Sequence, residues 1–315
     1  MRILYIAKHG SGHNDDEGAI QYGLEQLGHQ VTTVNERAII NIPTCDFDFC
    51  LFHKLFDPVV IQRLGRRFPT IFWYFDLVET KGDRTLTRRN AGRLQWMKRV
   101  RLYTSLGFCT DGDWVANAPQ GGKLCDLIQL TQGFDERLYL PLDDSTRLTT
   151  ENKSHILFSG TIRNCGKERQ AWFNKMEARY PRLFRHTVES FGRDQTLEVD
   201  MSAVAVCPPF PVTDRYYSNR VYNLAGRGAT IIHPYSERLS EEYQEGFEIL
   251  FYRNEEEMFD LTEMALTAKE YPDPFDIFSE LGANAQRRTM KEHTYRHRCE
   301  RLIEVVRDRF HFEGT

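Results

Sequence analysis

The stretch from Asp214 to Pro234, DRYYSNRVYNLAGRGATIIHP, has the pattern of a helix that leads into a buried strand. Ser218 or Asn219 can cap the helix, apolar residues follow at helical spacing, and a glycine ends it before the apolar run 229–232. Elsewhere in the chain, apolar runs predict strands at 31–34, 47–52, 70–75, 101–109 and 155–159, with helical stretches between them. Helices are also predicted at about 167–179 and over the final segment 281–310. This alternation predicts an α/β fold with parallel sheets.

The start of the same helix has the composition of an anion site. Arg215 and Arg220 flank a helix N-terminus, whose unpaired N–H groups and dipole favour a phosphate, and an arginine fork can hold two phosphate oxygens at once. We therefore predict that Ser218, Asn219 and Arg220 bind phosphate. The alternative is an ordinary βα unit with solvated arginines.

The residue order YSNRVY, then GRG, an apolar strand and His233-Pro234, resembles the C-terminal domain signature of CgeB-type glycosyltransferases. These are a branch of the GT-B sugar-nucleotide transferases. A second similarity follows in EILFY at 248–252, the segment NEEE at 254–257 and EHTYRHR at 292–298. Together these motifs cover roughly the last third of the chain in the family's order.

The resemblance implies a GT-B fold, in which two Rossmann-like domains face each other across a cleft and a C-terminal helix crosses back to the first domain. We place the first domain, on the acceptor side, at 1–145, the nucleotide-sugar domain at 146–290 and the returning helix at 291–315. The polar stretch 141–153 is the expected linker.

The resemblance also implies donor-binding residues in the second domain. GT-B enzymes commonly place a basic residue after the first strand of this domain to hold the donor diphosphate, and Arg163 and Lys167 occupy that region. Gly160 would let the backbone approach the phosphates closely. Where the family usually has a glutamate for the ribose hydroxyls, this chain has Asn223, which can accept a hydrogen bond without charge.

Candidate catalytic residues lie in the first half of the chain. The turn after the first strand contains Gly10-Ser-Gly12 without a third glycine, which disfavours a dinucleotide site, and its His13 is either a cleft residue or a solvated loop histidine. Asp76 comes after the apolar run 71–75 and is well placed to act as a general base on an acceptor hydroxyl, unless it only caps the next segment. Glu79 and His13 are the other candidate bases.

A basic stretch extends from Arg63 to Arg101, with 11 basic residues against 3 acidic ones. Its candidate acceptor patch comprises Arg84, Arg88, Arg89 and Arg93. Such a run is usually a solvated helical face, but it also suits a polyanionic acceptor. DNA with hydroxymethylated pyrimidines or an acidic polysaccharide would supply both the charge and a free hydroxyl.

The whole chain of 315 residues has a net charge of −4, so any nucleic-acid role must come from a local patch. Its seven scattered cysteines include no C-x-x-C pair, which indicates reduced thiols. The strand beginning beside Met1 leaves no room for a leader, and no apolar run is long enough for a membrane helix, so we expect a soluble, cytoplasmic protein.

We therefore predict a glycosyltransferase that moves a sugar from a nucleoside-diphosphate sugar, with a UDP-sugar as the expected donor, to an acceptor hydroxyl. No cofactor and no metal is expected, since Asp111 and Asp113 have metal-binding spacing but lie in the first domain. Two alternatives remain open, a sugar-nucleotide epimerase of GT-B fold and a non-catalytic sugar-nucleotide or glycan-binding protein.

Overall fold

The computed structural model describes residues 1–10, 16–36, 45–53, 57–78, 84–119, 121–139, 155–162, 166–188, 190, 192–270 and 278–312. At residues 58, 84–91, 269, 270 and 279 the backbone alone is described. Contacts divide the chain into two compact units, Met1–Gly133 with Tyr295–Thr315, and Phe134–Thr294. The sequence-based divisions were placed after 145 and after 290, and the expected linker at 141–153 lies outside the described residues.

Within the described residues, the first unit has a parallel sheet in the order β2-β1-β3-β4-β5-β6. Strands β1, β3, β4 and β5 are buried on both faces, apart from Arg2, which explains their nearly continuous apolar sequences. The strands are β1 Arg2–Ala7, β2 Gln30–Asn35, β3 Phe49–His53, β4 Thr70–Tyr74, β5 Leu106–Cys109 and β6 Asp126–Gln129.

Helices cover both faces of this sheet, because alternate strand residues point to opposite sides. The helices are α1 Asp16–Gln26, α2 Pro58–Gly65, α3 Arg84–Val100 and α4 Gly112–Asn117. Leu4 and Phe72 belong to the core cluster that includes residues of α2 and α3, whereas Tyr5 and Trp73 belong to the one that includes residues of α1. The last helix of the chain packs into the second of these clusters.

The second unit has a parallel sheet in the order β11-β10-β9-β7-β8. Its strands are β7 His155–Ser159, β8 Phe184–Thr187, β9 Ser202–Val206, β10 Ile231–Pro234 and β11 Leu250–Tyr252. Its helices are α5 Lys167–Arg179, α6 Gly192–Asp200, α7 Arg220–Ala225, α8 Glu237–Glu242, α9 Glu255–Glu270 and α10 Phe278–Glu292. Helix α7 and strand β10 are the helix and strand predicted from the stretch 214–234.

The predicted helical segment 281–310 is two helices, α10 and α11, with α11 at Tyr295–Phe310. The break has a clear cause, since the backbone oxygen of His293 accepts a hydrogen bond from Phe134 N at 2.8 Å. Helix α11 then packs in the first unit through Tyr295, Cys299 and Leu302, which recur at helical spacing on its buried face. The chain therefore returns to the first unit, as the resemblance implied.

One predicted strand starts too early. The sequence predicted a strand from Arg101, but α3 continues to Val100 and β5 begins at Leu106. The Arg101 guanidinium is buried and donates two hydrogen bonds to Cys125 O, so Arg101 fixes the turn between the helix and the strand. No helix among the described residues is both long and apolar enough to span a bilayer.

Candidate functional site

The strand order of the second unit has a switch point between two adjacent strands, and we call the space beyond their carboxyl ends the crevice. From β7 the chain moves to β8 on one side, whereas β9 is followed by β10 and β11 on the other side. The direction of winding therefore reverses between β7 and β9, and α/β sheets bind ligands beyond the carboxyl ends of the strands at such a point. Gly160 follows β7 there, and Cys207 follows β9.

Arg220 reaches this crevice from the first position of α7. Its Nε donates a hydrogen bond to the Ser159 backbone oxygen at the end of β7. Its guanidinium carbon lies 5.2 Å from the centroid of the Phe158 ring, a cation–π contact. Two neighbouring residues of β7 thus hold the side chain, although they are 61 and 62 positions away in the sequence.

The charge of Arg220 has no partner of opposite sign among the described residues. Burial lowers the pKa of Arg220, and the groups that act against this are the Cys207 thiol and the Tyr216 hydroxyl. Neither group is a carboxylate. Because a guanidinium remains protonated in proteins, Arg220 is a fixed cation that an anion in the crevice would neutralise.

Gly160 makes room for this cation. Its φ is +148°, and a Cβ at this position would overlap the Arg220 guanidinium. Its backbone N donates to Thr187 O at 2.9 Å, which fixes the end of β7 against β8. A residue without a side chain is therefore required where β7 meets Arg220.

The other predicted donor residues differ in their exposure and in their hydrogen bonds. Asn219 occupies the N-cap position of α7, but its side chain makes no capping bond, and Ser218 Oγ accepts a long hydrogen bond of 3.4 Å from Arg220 N. The side chain of Asn223 is partly exposed on α7. Lys167 is exposed at the start of α5, and Arg163 lies outside the described residues.

The second arginine of the predicted anion site is engaged elsewhere. The Nη1 atom of Arg215 lies 3.7 Å from Glu241 Oε1, so this cation faces a carboxylate. In addition, α7 has only six residues, which leaves little helix dipole to act on an anion. The side chain of Arg220, and not the helix terminus, is the feature that favours phosphate here.

The sequence reasoning missed Arg169, a buried residue of α5. Its Nη1 donates to Thr161 O and its Nε to Phe210 O, each at 3.1 Å. Arg169 therefore joins the loop after β7 to the loop after β9, on either side of the crevice. A signal was present, because Arg169 shares the helical spacing of the inward-facing Trp172, Phe173 and Met176.

In the first unit, a residue predicted as the catalytic base pairs with a residue of the predicted acceptor patch. Arg93 Nη2 lies 2.9 Å from Asp76 Oδ2, two residues after the end of β4, and the carboxylate side chain is 52% exposed. The candidate base is thus in contact with a cation of the predicted acceptor patch. His13 and Glu79 lie outside the described residues, and the side chains of Arg84, Arg88 and Arg89 are not described.

A buried pair that the sequence reasoning missed lies at the same edge of the first sheet. His53 ends β3, and its Nε2 lies 3.7 Å from Glu17 Oε1 in the first turn of α1. The His53 ring also contacts Phe75 edge-on, with ring centroids 4.2 Å apart. The position of His53 directly after the apolar run 49–52 was the available signal.

A cavity of about 390 Å³ lies beyond the carboxyl ends of β10 and β11, where Trp172, Tyr235 and Tyr252 contribute to its lining. Its arginine, Arg253, is already paired with the carboxylates of Glu245 and Glu257, at 3.0 and 3.7 Å. The cavity is therefore less suited to a diphosphate than the crevice at Arg220. Among the described residues, no group of three or more histidine, cysteine or acidic side chains could hold a metal.

A comparison with known families places a match over the second half of the chain. Residues 161–304 match the model of the Glycosyl transferase-like family. This region includes Arg169, Arg220 and the start of the returning helix α11. No curated protein matches the sequence.

Several solved structures resemble the whole chain. Sucrose-phosphate synthase from Thermosynechococcus elongatus is similar with a TM-score of 0.71 at 10% identity, over 98% of this chain and 99% of that one. Anabaena HepE in complex with UDP and glucose gives 0.62 at 12% identity, over 98% and 100%. An α1,3-fucosyltransferase with GDP-fucose gives 0.57 at 8% identity, over 99% and 91%.

These likenesses confirm the predicted fold class, the GT-B fold of glycosyltransferases. The family match over 161–304 agrees with a glycosyltransferase and lies in the unit that contains the crevice. The assignment to the CgeB-type branch remains a prediction from the sequence motifs.

Proposed function

We propose that this protein transfers a sugar from a nucleoside-diphosphate sugar, with a UDP-sugar as donor, to an acceptor hydroxyl. The observation that supports this proposal most is Arg220, a cation without a carboxylate partner among the described residues, held over Gly160 at the switch point of the second sheet. The solved structure of Anabaena HepE with UDP and glucose supports the choice of donor.

The chemistry explains why a fixed cation is useful at this point. As the bond between the anomeric carbon and the diphosphate oxygen breaks, negative charge accumulates on the leaving diphosphate. The acceptor oxygen forms the new bond to the anomeric carbon, and its proton passes to a base. A guanidinium held in place before the reaction stabilises the leaving group more strongly in the transition state than in the ground state.

We propose Asp76 as that base, because it follows a buried strand at the carboxyl edge of the first sheet and is half exposed. A half-exposed carboxylate can reach the hydroxyl of an incoming acceptor. The ion pair with Arg93 holds the carboxylate in one orientation, as proton transfer from a bound hydroxyl requires.

The test is turnover with a panel of nucleoside-diphosphate sugars, followed by comparison of Arg220→Ala with Arg253→Ala. A hydrogen bond to a charged group contributes roughly 1.5 to 3 kcal/mol, so Arg220→Ala should lower donor kcat/KM about 10- to 100-fold. Arg253 is the matched control, since its charge is already neutralised by two carboxylates. Wild-type donor kinetics in a folded Arg220→Ala protein would refute the proposal.

The same assay separates the two alternative functions. An epimerase changes the sugar without releasing nucleotide, and a binding protein does neither. Release of UDP that requires an acceptor supports transfer. Asn223, in place of the acidic residue that the resemblance implies, keeps the binding protein as an alternative.

For the acceptor, we propose a polyanion with free hydroxyls, either DNA bearing hydroxymethylated pyrimidines or an acidic polysaccharide. The support is the basic stretch from Arg63 to Arg101 in a chain of net charge −4, apart from Arg101, which is buried, and Arg93, which pairs with Asp76. Binding to duplex DNA should then weaken with salt at a logarithmic slope of about −0.9 per neutralised phosphate. Absence of DNA binding at low ionic strength, with no sugar transfer to hydroxymethylated DNA, would leave a glycan or small molecule as the acceptor.

A further inference from the structure

Helix α7 carries Arg220 but has few of the features that usually fix the start of a helix. It has six residues, and its N-cap residue Asn219 makes no side-chain capping bond. A helix this short is unstable without outside support, since its few internal hydrogen bonds do not offset nucleation. Other contacts must hold the backbone of Arg220 at the crevice.

Two buried tyrosines on either side of Arg220 supply such contacts. Tyr217 and Tyr222 are 2% and 1% exposed, and their hydroxyl oxygens lie 2.7 Å apart. The Tyr222 hydroxyl donates to Glu242 Oε2 at 2.5 Å, so the Tyr217 hydroxyl is the donor in the tyrosine pair. The backbone on both sides of Arg220 is thereby connected to one carboxylate on α8.

Glu242 is itself held from a second direction. It is 4% exposed, and its Oε1 accepts a hydrogen bond from Arg238 Nη2 at 2.9 Å, which compensates its charge. The backbone N of Arg238 donates to Asp214 O at 2.8 Å, and Ser236 Oγ donates to the same oxygen at 3.0 Å. The segment before Tyr217 is therefore tied to the same helix as the carboxylate.

Burying a carboxylate together with its cation costs free energy, because both groups lose their hydration. Apolar side chains of similar volume would pack here without that cost. The polar arrangement adds direction, since each hydrogen bond is satisfied in one geometry only. These hydrogen bonds therefore fix the orientation of the backbone turn that carries Arg220.

We propose that Glu242, acting through Tyr222 and Tyr217, is a positioning residue that fixes the place of the Arg220 guanidinium. This inference rests on the proposed role of Arg220 in binding the donor diphosphate. Glu242 is 4% exposed, and the hydrogen bonds of Tyr222 and Tyr217 connect it to the turn that carries Arg220.

The experiment compares Tyr222→Phe with Tyr243→Phe. Both substitutions remove one buried phenolic hydroxyl, since Tyr243 is 1% exposed and its hydroxyl pairs with Thr289 Oγ1 at 2.7 Å. The two rings are neighbours, with centroids 6.4 Å apart. In the described part of the chain, the Tyr222 hydroxyl bonds to Tyr217 in the turn of Arg220, whereas the Tyr243 hydroxyl bonds to Thr289 of α10. In calorimetric titration with UDP, Tyr222→Phe should weaken binding about 5- to 20-fold and Tyr243→Phe less than about twofold.

A second readout needs no nucleotide. Amide hydrogen exchange at 220–226 should become faster in Tyr222→Phe and stay unchanged in Tyr243→Phe. Tyr217→Phe, which keeps the bond between Tyr222 and Glu242, should show the same effects more weakly and replaces Tyr222→Phe if that protein does not fold. Equal losses of UDP affinity in the Tyr222 and Tyr243 variants would show a merely structural role and overturn the inference.

These measurements distinguish a failure of the proposed donor site from a failure of the inference about Glu242. If wild-type protein binds UDP and Arg220→Ala binds it equally well, the proposed role of Arg220 fails, and the inference fails with it. If Arg220→Ala loses binding but Tyr222→Phe behaves like Tyr243→Phe, only the inference fails.

Discussion

At the scale of single residues, Arg220 shows how a partly buried cation is kept without a carboxylate. A hydrogen bond to Ser159 O and the face of Phe158 replace part of its hydration. A cation–π contact contributes roughly 0.5 to 2 kcal/mol, which offsets only part of the desolvation that lowers the pKa of Arg220. An anion bound beside Arg220 would offset the remainder, which is the physical reason for proposing that Arg220 holds the donor diphosphate.

Gly160→Ala tests this geometry directly. The added Cβ overlaps the Arg220 guanidinium, and the positive φ of Gly160 disfavours alanine, so we expect UDP affinity to fall at least about tenfold. Gly246→Ala is the control, because Gly246 also has a positive φ, of +74°, but none of the described atoms lies within 4 Å of its Cβ position. Titration with UDP measures both, and similar affinities in the two variants would contradict the role of Gly160.

Asp76→Asn should lower turnover much more than donor affinity, since a base acts on the acceptor and not on the diphosphate. We expect kcat to fall about 100-fold or more with donor binding nearly unchanged. Asp126→Asn is closely matched, because Asp126 is 51% exposed and pairs with Arg309 at 2.7 Å, much as Asp76 pairs with Arg93. Full turnover in Asp76→Asn would place the base elsewhere.

At the scale of elements, a close helix–helix contact in the first unit joins α1 to α11. A Cβ on Gly23 would lie 3.1 Å from Cys299 Sγ and 3.2 Å from the Arg296 Cα. The second of these atoms belongs to the backbone, so a change of side-chain rotamer cannot relieve the contact. The two helices therefore approach to a distance that favours glycine at position 23.

Gly23→Ala should destabilise the protein, even though alanine favours a helix by roughly 1 kcal/mol over glycine. An added Cβ requires α1 and α11 to separate by a few tenths of an ångström, and we expect this overpacking to exceed the gain, with a net loss of about 1 kcal/mol. Gly92→Ala in α3 is the control, because no atom of the described side chains lies within 4 Å of its Cβ position, and it should gain about 0.5 to 1 kcal/mol. Urea unfolding midpoints that shift in opposite directions would support this; two stabilised variants would contradict it.

At the scale of the whole molecule, the first unit is assembled from two distant parts of the chain. Helix α11 contributes Cys299, Leu302, Ile303 and Val306 to a core that also contains strands β1, β3, β4 and β5. The second unit is continuous, from Phe134 to Thr294, and has its own core clusters. The two units should therefore differ in their ability to fold as fragments.

A fragment of residues 134–294 should fold by itself, whereas 1–133 should not, because the face covered by α11 would be exposed. Joining 1–133 to 295–315 through a short Gly-Ser linker should restore cooperative unfolding. The linker is short because Phe134 and Thr294 are bridge partners, which brings the two ends together. Circular dichroism melts give the result, and cooperative unfolding of 1–133 alone would contradict the expectation.

The sequence by itself determined the alternation of strands and helices, several element bounds and the choice of Arg220. Strand His155–Ser159 and helix Lys167–Arg179 were predicted with the bounds observed. These features depend on apolar periodicity, caps and glycines, which are local in the chain. Arg220 was found because it lies inside a recognisable motif.

Only the tertiary structure decided which of the predicted charges remain without a partner. Arg215 faces Glu241, and Arg93 pairs with Asp76, while Arg220 meets the backbone of β7, 61 residues away. The break at His293 likewise depends on Phe134, which is remote in sequence. The physical reason is common to these cases: charge compensation and backbone pairing are set by distances of a few ångströms in space, which separation along the chain does not reveal.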